Sequence, residues 1–279
     1  MISLLGIPYD ASSSFLRGPA KAPDLIRLAI QSPSANLSIE NGMSFEVGSN
    51  VIDLGDVDFS GLELGSQPGV PPSEEAGNEA RSSITHAVSS GLESGRPLLS
   101  LGGDHSISFP ILQAVAPRFE RLTIVQFDAH ADLYEDFEGD LFSHACPFAR
   151  ILEMFEHVSL VQVGIRTMNE HCIQQAERYG VRVFEMNSLP KNDDLLFQDP
   201  IYISLDLDVL DPAFAPGISH HEPGGMTTRE LIKTISDIKG KVIGADLVEY
   251  NPTRDQNGVT AMVAAKLAKE LAGKLMESV

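Results

Sequence analysis

Short apolar runs alternate with longer helical patterns along the whole chain, and this alternation constrains the fold most strongly. The runs Leu122–Phe127 and Val158–Val163 are apolar on both faces, which is typical of parallel strands covered on both sides by helices. The pattern predicts a doubly wound parallel α/β sheet. A closed barrel of eight strand–helix units remains the alternative, since the number of strands is compatible with both.

The remaining elements follow from the same patterns. The strand candidates are Ile2–Gly6, Asn50–Leu54, Pro97–Leu101, Leu122–Phe127, Val158–Val163, Val181–Phe184, Ile201–Leu205 and Val242–Ala245. The helix candidates are Ala22–Ile30, Glu74–Ser90, Ile107–Val115, Ser143–Phe155, Asn169–Tyr179, Thr228–Ile238 and Gly258–Met276. Ser32–Ser49 and Phe59–Ser73 are predicted loops. A chain of 279 residues without a linker predicts one domain, residues 1–279.

Composition narrows the classes of function. The formal net charge is −19, from 39 acidic and 20 basic residues, which argues against a nucleic-acid partner and fits a cationic ligand or simple solubility. No segment approaches the roughly 18 apolar residues of a membrane span, so no membrane partner is expected. The N-terminus lacks the features of a secretory signal, and the two cysteines lack CxxC spacing, so we expect a reducing cytoplasm.

Acidic and histidine residues follow three of the predicted strands directly. They are Asp104 and His105; Asp128, His130 and Asp132; and Asp206 and Asp208. Alternate residues of an extended chain point the same way, so Asp128, His130 and Asp132 can converge on one point. The carboxyl ends of parallel strands are also where open α/β sheets bind ligands.

This set of side chains favours a pair of divalent cations. Four carboxylates (Asp128, Asp132, Asp206, Asp208) and two imidazoles (His105, His130) exceed the need of one ion, whereas two ions about 3.5–4 Å apart use bridging carboxylates. Mixed oxygen and nitrogen ligands without thiolates suit Mn²⁺ better than structural Zn²⁺. Such a pair lowers the pKa of a bridging water.

Several segments resemble the signatures of the arginase–agmatinase (ureohydrolase) family, in the family's order. They are Gly102-Gly103-Asp104-His105-Ser106, Asp128-Ala129-His130-Ala131-Asp132 and Ser204-Leu205-Asp206-Leu207-Asp208. The resemblance extends to Ser14–Ala20 near the start and to Glu249-Tyr250-Asn251-Pro252 near the end. Phe137-Glu138-Gly139 and Ser143-His144-Ala145 make the chain most similar to plant-type arginases and their bacterial relatives.

The resemblance implies a three-layer fold with eight parallel strands, a homo-oligomer (trimer or hexamer) and two Mn²⁺ ions per subunit. It implies that His105 and Asp132 bind one ion, that His130 and Asp208 bind the other, and that Asp128 and Asp206 bridge them. His144 matches the family's proton-shuttling histidine, and its ordinary pKa suits protonation of a leaving amine. Glu249 matches the carboxylate that holds the guanidinium group. Asp132 would also orient the attacking hydroxide and accept its proton.

The substrate implied is a small guanidino cation, with L-arginine first and agmatine or guanidinobutyrate as alternatives. Residues 133–140, which follow DxHxD, form an acidic loop without the Asn, Lys or Arg that would meet an α-carboxylate. Electrostatics therefore favours agmatine, whereas the resemblance to plant-type arginases favours arginine. Arg166 or a neighbouring subunit is the candidate source of the missing positive charge. His220 and His221 lie in a loop near the presumed mouth of the cleft, where they could touch the substrate, but we predict a solvated loop pair.

Two rival interpretations remain. A zinc deacetylase of the related superfamily would bind one metal and would not need the whole set of ligands. A non-catalytic homologue would be indicated by loss of a ligand, of His144 or of Glu249, and all of these residues are present.

Overall fold

The computed structural model describes residues 1–278; Val279, the last residue of the predicted domain, lies outside the described residues. The strands are β1 (Ile2–Gly6), β2 (Val51–Asp56), β3 (Leu98–Leu101), β4 (Leu122–Phe127), β5 (Val158–Ile165), β6 (Arg182–Glu185), β7 (Ile201–Asp206) and β8 (Val242–Val248). All are parallel and form one sheet in the order β2-β1-β3-β8-β7-β4-β5-β6. The prediction of a parallel α/β sheet is confirmed. The barrel alternative is wrong, because β2 and β6 are the open edges of the described sheet.

The helices cover both faces of the sheet. They are α1 (Ala22–Ile30), α2 (Glu74–Leu92), α3 (Ser108–Val115), α4 (Pro147–Met154), α5 (Glu170–Tyr179), α6 (Thr228–Asp237) and α7 (Val259–Met276). Buried residues of α1, α6 and α7 share one apolar core with the sheet, and those of α2, α3, α4 and α5 share the other. Strand residues alternate between the two cores: Val125 and Phe127 belong to the first, Leu122 and Ile124 to the second. This alternation is the period-2 geometry of a strand.

Most predicted boundaries agree with the structure to within two residues, and two differ by more. The helix predicted over Ser143–Phe155 begins only at Pro147, because a proline fits the first helical turn and disfavours helical backbone in the residue before it. Strand β8 runs three residues beyond the predicted Ala245, since Leu247 pairs with β3 on one side and with β7 on the other. Both changes matter for the site, because they place residues 144 and 249 outside regular structure at the carboxyl end of the central strands.

The four central strands are β3, β8, β7 and β4 in spatial order. Their carboxyl ends therefore meet at one place, although the strands are far apart in the sequence. Among the described residues, no helix combines the length and the apolar composition needed to cross a membrane.

Candidate active site

Six side chains converge at the carboxyl end of the central strands, and we call them the edge cluster. They are His105, Asp128, His130, Asp132, Asp206 and Asp208. Five are buried, and only His130 is partly exposed. The structure thus brings together the six residues that the sequence singled out as metal ligands, from the ends of β3, β4 and β7.

His105 lies at the centre of the first half of this cluster. Its Nδ1 is 3.1 Å from Asp128 Oδ2, 3.0 Å from Asp132 Oδ2 and 3.2 Å from Asp206 Oδ2. Its other ring nitrogen, Nε2, lies 3.0 Å from the hydroxyl of Ser204 and forms a hydrogen bond with it. Nδ1 itself is buried without a hydrogen bond of good geometry. The ligand atoms of His105, Asp128 and Asp132 lie close enough to one another that they could share one cation.

His130 forms the second half of the cluster. Its Nδ1 is 2.9 Å from Asp208 Oδ2 and 3.6 Å from Asp128 Oδ1. Asp128 therefore offers one oxygen to each half, and these ligand atoms form two groups close enough to hold an ion each. Gln126 donates a hydrogen bond to Asp128 Oδ2 at 2.7 Å, which fixes the orientation of the shared carboxylate.

Electrostatics supports a cation in this cluster. Burial raises the pKa of Asp206 well above its usual value, and burial together with Asp128 raises the pKa of Asp132 to about 6. Burial lowers the pKa of His105, but the surrounding carboxylates outweigh it and raise that pKa well above its usual value. The four carboxylates thus exceed the positive charge that two imidazolium groups can supply, so the residues fit two divalent cations.

His144 and Glu249 form a buried pair beside the edge cluster. His144 Nδ1 is 2.8 Å from Glu249 Oε1, which also accepts the main-chain N–H of His105 at 2.9 Å. Burial raises the pKa of Glu249, but the charge of His144 and its hydrogen bond bring it below the usual value. His144 lies in a turn before α4, not in the helix, and is buried.

Two of the candidate residues have a strained backbone. Asp132 has φ 51° and Glu249 has φ 65°, in the left-handed region that non-glycine residues seldom adopt. Glu249 comes directly after β8, and Asp132 lies five residues after the end of β4; at both places the chain turns so that the carboxylate faces the cluster. Strain held by surrounding structure is common at functional sites.

A cavity of about 200 Å³ opens above the edge cluster. Its floor carries the carboxylates of Asp132, Asp206, Asp208 and Glu249, whereas Tyr134 and other residues of the following loops form its walls. Among the described residues that line it there is no Lys or Arg. A cavity of this charge favours a cationic ligand.

His220 is a residue of the site, although the sequence interpretation favoured a solvated position for it. The predicted solvated pair is divided: His221 is exposed and bonds the Pro216 carbonyl at 2.9 Å, whereas His220 lines the cavity. The His220 ring lies 5.3 Å from the ring of His144 and 5.7 Å from that of His130. Burial lowers the pKa of His220. An isolated bridge between residues 218 and 250 brings this loop to the site, and local sequence carries no signal for it.

Arg166 does not reach the cavity, so the prediction that it meets a substrate carboxylate is wrong. Its guanidinium donates hydrogen bonds to the main-chain oxygens of Asp208 at 2.6 Å and Glu222 at 2.7 Å. Further carbonyl oxygens, those of Gly164, Val209 and Leu210, surround it. Arg166 therefore holds the loop that follows β7, because its planar group of donors matches several carbonyls at once.

Comparison with known proteins gives a consistent result. The family model described as the arginase family matches residues 1–273. The mitochondrial arginase of Medicago truncatula is 42% identical over 282 residues, covering 98% of this chain and 81% of the relative. The agmatinase of Bacillus anthracis is 30% identical over 281 residues, covering 97% and 90%. The solved arginase from Medicago truncatula superposes with a TM-score of 0.87 at 40% identity, covering 98% of this chain and 86% of that chain. Because this plant relative is described as mitochondrial, a cytoplasmic location stays a prediction.

Proposed function

The chain belongs to the arginase family, and from this premise we propose that it is a manganese-dependent ureohydrolase that cleaves the guanidino group of L-arginine to urea and ornithine. The observation that carries this proposal is the pair of ligand groups that share Asp128 beneath a cavity with acidic residues and no lining Lys or Arg.

The edge cluster would hold two Mn²⁺ ions. His105 and Asp132 would bind one ion, His130 and Asp208 would bind the other, and Asp128 and Asp206 would contribute to both. The distance of 3.2 Å between Asp206 Oδ2 and His105 Nδ1 supports the inclusion of Asp206 among the ligands. When bound, such a pair of ions activates water at neutral pH and stabilises developing negative charge. A single-zinc deacetylase would need only one of the two ligand groups, and a non-catalytic homologue would need neither.

Glu249 would hold the guanidinium. Its Oε1 is occupied by the His105 N–H and by His144, so Oε2 is the oxygen available to the substrate. The strained backbone at this position fixes the carboxylate at the cavity floor. A charge-assisted hydrogen bond from the guanidinium would orient its carbon over the edge cluster.

Two residues would move protons. Asp132, with one oxygen toward His105, would orient the attacking water and accept its proton with the other oxygen. His144 would protonate the departing amine, since Glu249 stabilises the imidazolium form by a hydrogen bond of 2.8 Å. His220 would form the wall between the two ends of the substrate, as its ring packs near both His144 and His130.

The far end of the substrate separates two candidates. The 42% identity to a plant arginase supports arginine. The lack of a lining Lys or Arg, with Arg166 bound to main-chain carbonyls, favours agmatine, which carries no α-carboxylate. Arginine would then need a positive group from a neighbouring subunit, in the trimer or hexamer that we also propose. A guanidino acid such as guanidinobutyrate is the third candidate.

The test measures urea release from arginine, agmatine and guanidinobutyrate by the purified protein with Mn²⁺. We expect release from arginine, loss on chelation and loss in His130→Ala. Urea from agmatine alone would keep the reaction and change the substrate. No urea from any of the three, with two bound ions per chain, would contradict the proposed function.

A further inference from the structure

The segment of residues 12–14 contacts His144 at two points, although 130 residues separate them in the chain. The His144 main-chain N–H donates to the Ser12 carbonyl at 3.1 Å. The His144 Nε2 lies 2.8 Å from the hydroxyl of Ser14 and accepts the main-chain N–H of Ser14 at 3.2 Å. His144 is thus bound by both its backbone and its ring to one short stretch of chain.

The two ring nitrogens of His144 face partners of opposite kinds. A main-chain N–H can only donate, so the Ser14 N–H requires a lone pair on Nε2. A carboxylate can only accept, so Glu249 requires a proton on Nδ1. When the ring is neutral, the two partners together select the tautomer in which Nδ1 carries the hydrogen. The Ser14 hydroxyl complements this form by donating to Nε2, and it can rotate to accept from Nε2 when the ring is protonated.

The segment that carries Ser14 is held rigidly. The buried carboxylate of Asp104 accepts the Ser12 N–H at 3.1 Å and the Ser13 hydroxyl at 3.0 Å. On the other side of Ser14, Asp10 accepts the main-chain N–H of Gly18 at 2.7 Å. Ser14 lies between these two anchors and lines the substrate cavity. Its hydrogen bonds to His144 therefore do not depend on a mobile loop.

We propose that Ser14 is a positioning residue for His144: together with Glu249 it fixes the tautomer and the plane of the imidazole, so that Nε2 is the nitrogen that exchanges a proton. This inference deepens the proposed function, since it rests on His144 as the proton donor to the leaving amine. Ser14 acts through His144, because the substrate's guanidinium is held by Glu249. Packing of His220 against His144, at 5.3 Å between rings, restricts the ring from the side.

The kinetic test replaces Ser14 with Ala, which removes the hydroxyl and keeps the main-chain donor. We expect kcat to fall about 10-fold to 100-fold, less than the roughly 10²-fold to 10⁴-fold effect of losing the general acid itself, with KM almost unchanged. Ser14→Thr should restore most of kcat because it restores a hydroxyl. Ser66→Ala, at an exposed serine of the loop before α2, is the matched control and should behave as wild type.

A double-mutant cycle separates positioning from substrate binding. If Ser14 acts through His144, Ser14→Ala should cost nothing further in the His144→Asn background. Equal losses in both backgrounds, or a loss that appears in KM, would overturn the proposal.

A spectroscopic test is independent of turnover. Burial lowers the pKa of His144, but the Glu249 carboxylate outweighs this effect and raises that pKa to about 9. In ¹H–¹⁵N long-range spectra of the metal-free protein above that pH, assigned with His144→Asn, we expect Nδ1 to carry the proton. Ser14→Ala should keep this preference, because the Ser14 main-chain N–H and Glu249, which select the tautomer, both remain. A proton on Nε2 in the wild type would overturn the proposal even if the enzyme is active, whereas absence of urea release with the expected tautomer would contradict only the proposed function.

Discussion

Buried carboxylates lie at two neighbouring places in this sheet, and their hydrogen-bonding needs are met in different ways. One place is the edge cluster. At the other, which we call the hydroxyl cluster, Asp246 of β8 accepts hydrogen bonds from Ser204 at 2.7 Å, Tyr202 at 2.9 Å and Ser108 at 3.0 Å. One carboxylate thus has three donors. In the edge cluster four carboxylates face two imidazoles, and the buried Nδ1 of His105 lacks a hydrogen bond of good geometry.

The difference shows which buried acids serve structure and which need a ligand. A carboxylate surrounded by hydroxyl donors is stabilised by the protein alone. A group of carboxylates with too few donors destabilises the fold until a cation arrives. Ser204 connects the two clusters, because its hydroxyl also lies 3.0 Å from His105 Nε2.

The largest expected effect comes from neutralising one acid of the edge cluster. Asp206→Asn should reduce kcat/KM about 10²-fold to 10³-fold, the range for losing one electrostatic contact in an active site. The metal-free variant should nevertheless be more stable than wild type. Because burial raises the pKa of Asp206, the metal-free wild type should lose stability as the pH rises above about 4, the ordinary pKa of Asp.

Thermal unfolding of both metal-free proteins across that pH range measures this effect. The variant should show a flatter decline, because Asn keeps the oxygen that accepts the Asp208 N–H and removes only the charge. A variant that is less stable than wild type at neutral pH would mean that the edge cluster is satisfied without a cation.

Asp246→Ala should have the opposite sign in stability. It removes the acceptor of three buried hydroxyls, so we expect the free energy of unfolding to fall by about 3 kcal/mol. The loss should be the same with and without Mn²⁺, apart from the contribution of Ser204. Urea denaturation under both conditions gives the comparison, and a loss confined to the metal-bound protein would place Asp246 in the metal site instead.

Ser204→Ala tests the connection between the clusters. Losing the hydroxyl that orients a metal-binding imidazole should weaken Mn²⁺ binding about 10-fold, roughly 1.4 kcal/mol. Isothermal titration calorimetry measures the affinity. Ser100→Ala is the control, because Ser100 is a buried serine of β3 whose hydroxyl makes no hydrogen bond among the described residues. Equal affinities of the two variants would show that Ser204 does not orient His105.

The sequence predicted the edge cluster better than its surroundings. Asp128, His130 and Asp132 directly follow a buried strand, so their position at its carboxyl end is a local property that the sequence shows. The expectation from period 2 fails at Asp132, which has a φ of 51° and meets His105, whereas His130 meets Asp208. The order β3-β8-β7-β4 is set by long-range pairing, and so is the approach of His220 and Ser14 to His144. The role of Asp246 also stayed hidden, because its donors come from two other elements.

An exposed acid should show the smallest effect on stability among the acids compared. Glu135, in the acidic loop after β4, pairs with Arg178 at 2.5 Å, but both side chains are about half exposed, at 51% and 55%. Water and salt screen this pair, so Glu135→Gln should change the free energy of unfolding by no more than about 0.5 kcal/mol, with or without Mn²⁺. It should raise the KM for a cationic substrate slightly, and less so as salt is added. If Glu135→Gln changed the free energy of unfolding as much as Asp246→Ala, burial would not explain which acids matter for stability. The difference between the two buried clusters would then require an explanation other than burial.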